Sequence, residues 1–129
     1  MPATVVLLTD ITRVIRSAFG GREKVSTVGE SGAATTVDLQ DGNIHIVTLT
    51  DDCEFSFAGA TPGESCSFVL KLKQDAQGGR IATFPPTVIW PGGEEPALSA
   101  HPEALDKIVF ETTDGGQTWE GNVAGVGYA

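Results

Sequence analysis

A chain of 129 residues is long enough for one domain, which would bury roughly two-thirds of the surface that its unfolded form exposes. Its sixteen glycines and seven prolines lie between short apolar runs without a fixed period, which excludes a collagen-like repeat and favours an all-β domain with many turns. The formal charge of −9 argues against nucleic-acid binding, and the lack of any run of about 20 apolar residues argues against a membrane span.

The first 34 residues are expected to form an arm and a linker. Residues 4–8 are a short β-prone run, and the apolar side chains of residues 11–19 then follow helical spacing, with two glycines at the end. This part is slightly basic, at +1 over residues 1–34, whereas residues 35–129 carry −10. Such a helix fits packing on its own domain as well as docking on another subunit. The side chains predicted to dock are Ile11, Arg13, Arg16, Phe19 and Arg22.

Residues 25–34 are rich in Ser, Thr and Gly and predict a linker, so the main domain is expected to span residues 35–129. Short β-prone runs follow, separated by turn signals such as Asp41-Gly42. The expected strands are residues 36–39, 44–50, 54–57, 67–73, 80–84, 87–90, 107–112 and 118–122. This pattern predicts an all-β fold, namely a jelly-roll-like antiparallel β-sandwich with a short N-terminal arm that can contain one helix.

Alternation along these strands indicates which side chains are buried. Phe68, Leu70 and Leu72 alternate along one predicted strand and share a face that we expect to be buried. Lys71 and Lys73 point to the opposite face, which marks solvent or an interface. Further core residues are expected to be Phe55, Phe57, Ile108 and Phe110.

The two cysteines are expected to remain free thiols. We expect Cys53 and Cys66 to lie on the two arms of a hairpin centred near residues 61–62. Cys53 would then pair near Leu70. Cys66 would instead face Phe57, which leaves the two sulfurs too far apart for a disulfide and agrees with a reducing compartment.

No motif of a common enzyme class is present, since the chain lacks a phosphate-binding glycine loop and the patterns HExxH, CxxC and GxSxG. We therefore predict a non-enzymatic protein without catalytic residues or a cofactor. His45 and His101 have no cysteine close in sequence, so no zinc site is predicted. The acids of residues 51–54 and 94–95 are interpreted as solvated, with a hard cation such as calcium as the alternative.

The two tryptophans are the candidates for ligand contact. Trp90 and Trp119 stand beside glycine-rich turns, where an exposed aromatic ring can stack on a sugar. More often a tryptophan in such a place packs against the sheet or an interface, so sugar contact is the alternative.

Four blocks of sequence resemble a domain of tailed-bacteriophage structural proteins, found at the ends of tail fibres and receptor-binding proteins and in some capsid decoration proteins. The blocks are GNIHIVTLTDDCEFSFAG (42–59), SFVLKLKQDAQGGRIATFP (67–85), VIWPGGEEPALS (88–99) and IVFETTDGGQTWEGNVAGVGYA (108–129). Each block alone is weak, but their order and spacing are matched over about two-thirds of the chain. Residues 1–34 do not match the stalk that long tail fibres place before this domain.

The resemblance implies a homotrimer and a place on the virion surface, after synthesis in the host cytoplasm. Because the stalk is missing, the chain is more similar to a capsid decoration (cement) protein, whose partners would be itself and the major capsid protein or other virion proteins. The alternative is the receptor-binding head of a tail fibre, with Trp90 and Trp119 near a host glycan.

Two features of the sequence also favour a trimer. The run 123–129 is small, apolar and uncharged, so we expect it to pack against a sheet rather than to fray. Ile44, Val47 and Leu49 fall on both faces of one predicted strand, and a strand that is apolar on both faces needs a second covering layer. A neighbouring protomer can provide that layer.

Overall fold

The computed structural model describes residues 22–129, and the regular structure there is almost entirely β-strand. In chain order the strands are β1 (Val25–Glu30), β2 (Ala34–Asp38), β3 (Ile44–Leu49), β4 (Cys53–Ala58), β5 (Pro62–Gln74), β6 (Ala82–Thr83), β7 (Val88–Ile89), β8 (Leu105–Asp114) and β9 (Trp119–Tyr128). All eight strands expected from the sequence are present in whole or in part. The helix expected over residues 11–19 lies outside the described residues.

The strands form two sheets that enclose one hydrophobic core. The larger sheet has the strand order β1-β3-β5-β8-β9-β7, and the smaller one has the order β2-β4-β6. Inward side chains of both sheets meet in the core, among them Phe55 from the smaller sheet and Phe68 from the larger one. The core residues are Val37, Val47, Leu49, Cys53, Phe55, Phe68, Leu70, Leu72, Phe84, Val88, Ile108, Phe110 and Trp119. The predicted all-β, sandwich-like fold class is confirmed.

The pairing of individual strands differs from the antiparallel pattern that we expected. Only β5–β8 and β8–β9 are antiparallel, whereas β1–β3, β3–β5, β2–β4, β4–β6 and β7–β9 run parallel. For the pairs among β1 to β6, the reason is that the chain changes sheet at each connection and returns to each sheet in the same direction. We call each pair of successive strands, one in each sheet, a coil. The described chain begins with three coils, β1–β2, β3–β4 and β5–β6.

The expected linker is partly a strand. Residues 25–30 form β1 and pair in parallel with β3, with a bulge between Thr27 and Gly29. Threonine and valine are β-branched and suit a half-exposed edge strand, although a polar composition also fits a linker. The sheet therefore starts before Thr35, where the domain was expected to begin.

The hairpin expected near residues 61–62 is not formed. β4 pairs with β2 and β6 instead of β5, so Cys53 and Cys66 belong to different sheets. The turn after Asp75 likewise leads from β5 into the smaller sheet. Both cysteines are nevertheless free thiols, as predicted. The hairpin between β8 and β9 is formed, and β9 continues to Tyr128, so the C-terminal run packs against a sheet as predicted.

Candidate interface on the larger sheet

Aliphatic side chains cover the side of the larger sheet that points away from the core, which we call the outer face of the larger sheet. A row of four crosses neighbouring strands in direct register: Val25 on β1, Ile44 on β3, Val69 on β5 and Val109 on β8. Ile44, Val69 and Val109 are half-buried, and Val25 is 49% exposed. A solvated sheet face normally carries polar side chains at such positions, so this row needs a reason beyond the fold.

The next rows of the same face carry three lysines. Lys71 lies in register between Ile46 of β3 and Lys107 of β8, so two like charges stand side by side. Lys107 Nζ lies 6.0 Å from the centroid of the Tyr128 ring. Lys73 Nζ forms an ion pair with Glu103 at 3.0 Å.

These lysines stand out against the charge of the rest of the molecule. Residues 22–129 contain six Lys and Arg against sixteen Asp and Glu, and three of those six cations lie on the outer face of the larger sheet. The face is therefore apolar with a locally basic part in an acidic protein. Lys71 and Lys73 point away from the core, as the alternation of side chains along this strand predicted.

The corresponding side of the smaller sheet, its outer face, is small and polar. Thr36 of β2 and Ser56 of β4 are register partners, and their hydroxyl oxygens are 2.8 Å apart. Glu54 and Thr83 are the neighbouring outward residues, and both are exposed. This surface is what an ordinary water-covered sheet presents.

Two turn aspartates fix the ends of the long strands. Asp114 accepts hydrogen bonds from the Thr118 amide at 2.9 Å and from the Thr112 hydroxyl at 2.8 Å, and these bonds lower the pKa of its carboxyl. The pKa of Asp75 is lowered chiefly by the hydrogen bond from the Arg80 guanidinium, at 3.1 Å, and also by the Gly78 amide. Both carboxylates therefore hold turns at the ends of β5 and β8.

The tryptophans lie mainly within the protein. Trp119 is 2% exposed, and its ring centroid lies 5.3 Å from Phe57 and 5.5 Å from Phe68. Trp119 therefore packs within the protein and does not present a face to a sugar, because aromatic partners from both sheets enclose the ring. Trp90 is half-buried, with its ring 5.8 Å from Phe110 and directly over Gly121. The Trp90 ring therefore mostly packs the turn that follows it against the larger sheet.

An open groove of about 460 Å³ lies beside β6, between residues 79–83 and residues 95–100. Ile81 is 63% exposed at this groove. The adjoining loop is held by Gln74, which donates from Nε2 to the carbonyl oxygens of Arg80 at 2.8 Å and Ser99 at 3.1 Å. Pro85 and Pro86 follow β6 after one residue, Phe84, and they block continuation of a regular edge.

The histidines and acids of the described chain do not form a metal centre. His45 is 1% exposed, and its Nε2 lies 2.8 Å from the Gly42 carbonyl oxygen, whereas His101 is an exposed loop residue. Within residues 22–129, no group of three or more His, Cys, Asp or Glu is arranged to hold an ion. The same residues contain no helix with the length and apolar character to cross a membrane.

The side chains predicted to dock are mostly not described. Ile11, Arg13, Arg16 and Phe19 lie outside residues 22–129, and Arg22 is exposed just before β1. The sequence reasoning did not identify Ile46, Val69 and Val109 as interface candidates. The sequence did show an aliphatic residue at an outward position of each of these three strands. These residues form a row only when the strand order is known.

Comparison with known proteins does not identify a relative. No protein-family model matches the chain, and no curated protein or solved structure matches it either. The resemblance to the phage domain therefore depends on the four sequence blocks alone.

Proposed function

We propose that this chain is a non-enzymatic structural protein of a tailed-phage virion, which assembles as a homotrimer and decorates the capsid shell. The observation that carries this proposal is the apolar row on the outer face of the larger sheet. The row makes contact with water unfavourable, so the face favours a covering protein surface. The four sequence blocks supply the phage context.

The charges favour one geometry for the trimer. A threefold ring joins two different surfaces of each protomer, because each copy contacts one neighbour with one patch and the other neighbour with another. Three outer faces turned toward one axis would bring the lysines of the three copies together, which is repulsive. We therefore infer that the outer face of one protomer covers an acidic surface of the next.

Attachment to the shell is assigned to the arm in this proposal. The docking side chains are Ile11, Arg13, Arg16, Phe19 and Arg22, and the partner is the major capsid protein or another virion protein. Repeated attachment on a symmetric lattice turns weak contacts into stable binding. The protein would be made in the host cytoplasm and act on the virion surface, without a cofactor, nucleic acid or membrane.

Sedimentation of paired variants tests the trimer. The double variant Ile44→Glu/Val69→Glu places two carboxylates in the apolar row, and Thr36→Glu/Ser56→Glu is the matched control on the smaller sheet. The parent and the control should sediment at three times the 13.4 kDa chain mass, and the row variant at one. A parent that is monomeric at micromolar concentration contradicts the proposal.

Location and partner need a second experiment. Arg13→Glu/Arg16→Glu should remain a trimer but no longer add to capsids of the phage that encodes the chain, as seen by electron microscopy. Under the receptor-binding alternative, the exposed part of the Trp90 ring is the tryptophan surface that remains available for contact with a glycan. Specific binding on a glycan array, lost in Trp90→Ala, together with protein at the tail tip would favour that alternative and contradict decoration.

A further inference from the structure

The stack of three coils has an open end at β1 and β2. Within residues 22–129, β1 pairs only with β3 and β2 pairs only with β4. The Ala33 carbonyl accepts from the Glu54 amide at 3.0 Å, so β2 bonds to β4 through its odd-numbered residues. Because these directions alternate, the amides and carbonyls of Ala34 and Thr36 point away from β4, to the free edge.

The edge of β2 has few of the features that protect exposed edges. It is five residues long, it pairs with β4 without a bulge, it contains no proline, and its one charged residue is Asp38 at the end. At the same end of the stack, Val25 and Val28 of β1 are 49% and 38% exposed. Unpaired backbone and exposed valines together indicate a surface that receives another strand.

We propose that residues 6–18 of the same chain form a further coil on this end, with residues 6–11 beside β1 and residues 14–18 beside β2. The first coil sets the spacing. Val25 lies beside Ile44, 19 residues later, and Ala34 lies beside Glu54, 20 residues later. Subtracting 19 from the residue numbers of β1 gives residues 6–11, and subtracting 20 from those of β2 gives residues 14–18.

The connections have the required length. Three residues join β1 to β2 and five join β2 to β3 in the described chain. The added coil leaves two residues, 12–13, between its strands and six, 19–24, before β1. Both lengths lie within one residue of the connections that they repeat, so the chain can make this coil without a long loop.

The alternation of side chains also fits. In the proposed register Ile15 lies beside Thr35, which points into the core, and Arg16 lies beside Thr36 on the polar outer face of the smaller sheet. Arg16 remains available there to a capsid surface. On the larger sheet, Val6 lies beside Val25 and lengthens the apolar row by one strand.

Two proline variants test the strand against the helix that periodicity predicts. In the proposed register the Ser17 amide points to β2 and the Arg16 amide points to the open side. Ser17→Pro should raise amide hydrogen exchange at Ala34 and Thr36 at least tenfold, whereas Arg16→Pro should leave it near the parent rate. Both prolines lie within the predicted helix, so equal effects, or fast exchange in the parent, overturn the added coil.

Cysteine cross-linking tests whether the strand comes from the same chain. With Cys66 changed to Ser, Arg16→Cys/Thr36→Cys brings two thiols to neighbouring positions of the outer face, within the reach of a disulfide. Oxidation should give a cross-linked product at single-chain mass on a non-reducing denaturing gel. Ser17→Cys/Thr36→Cys, with one side chain on each face, should not cross-link. A product of two chains, or none, overturns the proposal.

Discussion

The two outer faces of this sandwich differ although they cover the same core. On the smaller sheet the outward positions carry Thr36, Glu54 and Ser56, which water solvates well. On the larger sheet the corresponding positions carry an aliphatic row with lysines beside it. Since both sheets already bury their inner sides, the core does not require this row. The aliphatic row is therefore the surface on which we propose contact with another protein.

The largest expected effect comes from the core that the two faces share. Phe68 is 1% exposed, and its ring lies 4.9 Å from Phe57 of the smaller sheet and 5.2 Å from Phe110 of the larger one. Phe68→Ala should lower the free energy of unfolding by about 3–5 kcal/mol, because a large cavity forms between the sheets. Urea denaturation followed by fluorescence and by circular dichroism measures it.

The neighbouring outward residue provides the control. Val69→Ala removes half-buried methyl groups from the outer face and should cost less than about 1.5 kcal/mol in the isolated chain. If the two spectroscopic signals of the parent change at different urea concentrations, the sheets unfold separately and their faces cannot be compared as sides of one unit.

The cysteines sharpen the comparison, because each sheet contains one. Cys53 is 1% exposed on the inner side of β4, whereas Cys66 is half-buried near the start of β5. A thiol reagent should modify Cys66 at least about 100-fold faster, since Cys53 becomes accessible only when the structure opens. Mass spectrometry of Cys53→Ser and Cys66→Ser gives the two rates separately. Similar rates would mean that the smaller sheet opens by itself.

The sequence predicted the class and the strand positions because both depend on local signals. Apolar alternation and glycine turns placed eight strands, and alternation placed Lys71 opposite Phe68, Leu70 and Leu72. The pairing could not be predicted in this way. A polar turn between two strands is compatible with a hairpin and with a crossing to the other sheet, and residues 59–61 make the crossing.

Recognition of the apolar row depended on that missing information about strand pairing. Ile44 was recognised because its own strand is apolar on both faces, but Val69 and Val109 become its neighbours only through the order β3-β5-β8. The two alternatives for Trp119 could not be separated for a related reason, since the composition of the nearby turn does not reveal which face of β9 its ring occupies. Long-range packing decided both cases.

Acid titration should weaken the long strands of the larger sheet at their turns. The pKa values of Asp75 and Asp114 are lowered from 3.8 in the folded protein, so their contribution to stability is present above that pH and is lost as the pH falls through the folded values. Below about pH 4, Asp114→Asn should make the free energy of unfolding depend less steeply on pH. The reduction should be smaller than the slope that the uptake of one proton produces.

Thermal unfolding between pH 2 and 6 measures this slope. Glu64→Gln is the control, because its exposed side chain has no hydrogen-bond partner among the described residues. An unchanged slope in Asp114→Asn would mean that the hydrogen bonds at the β8–β9 turn do not favour the charged carboxylate.

The smallest expected effect concerns the lysine pair, and its sign distinguishes folding from binding. Lys71 and Lys107 are register partners with like charges, whereas Thr36 and Ser56 at the corresponding place on the smaller sheet share a hydrogen bond. Lys71→Thr should therefore raise the free energy of unfolding of the monomer by about 0.2–1 kcal/mol.

If the lysines contact an acidic neighbour, the same change should weaken association and reduce its dependence on salt. Lys71→Arg retains the charge and should leave both properties near the parent. Sedimentation and thermal unfolding at low and high salt separate the two effects. If Lys71→Thr strengthens association as well as raising the free energy of unfolding, these charges do not serve binding.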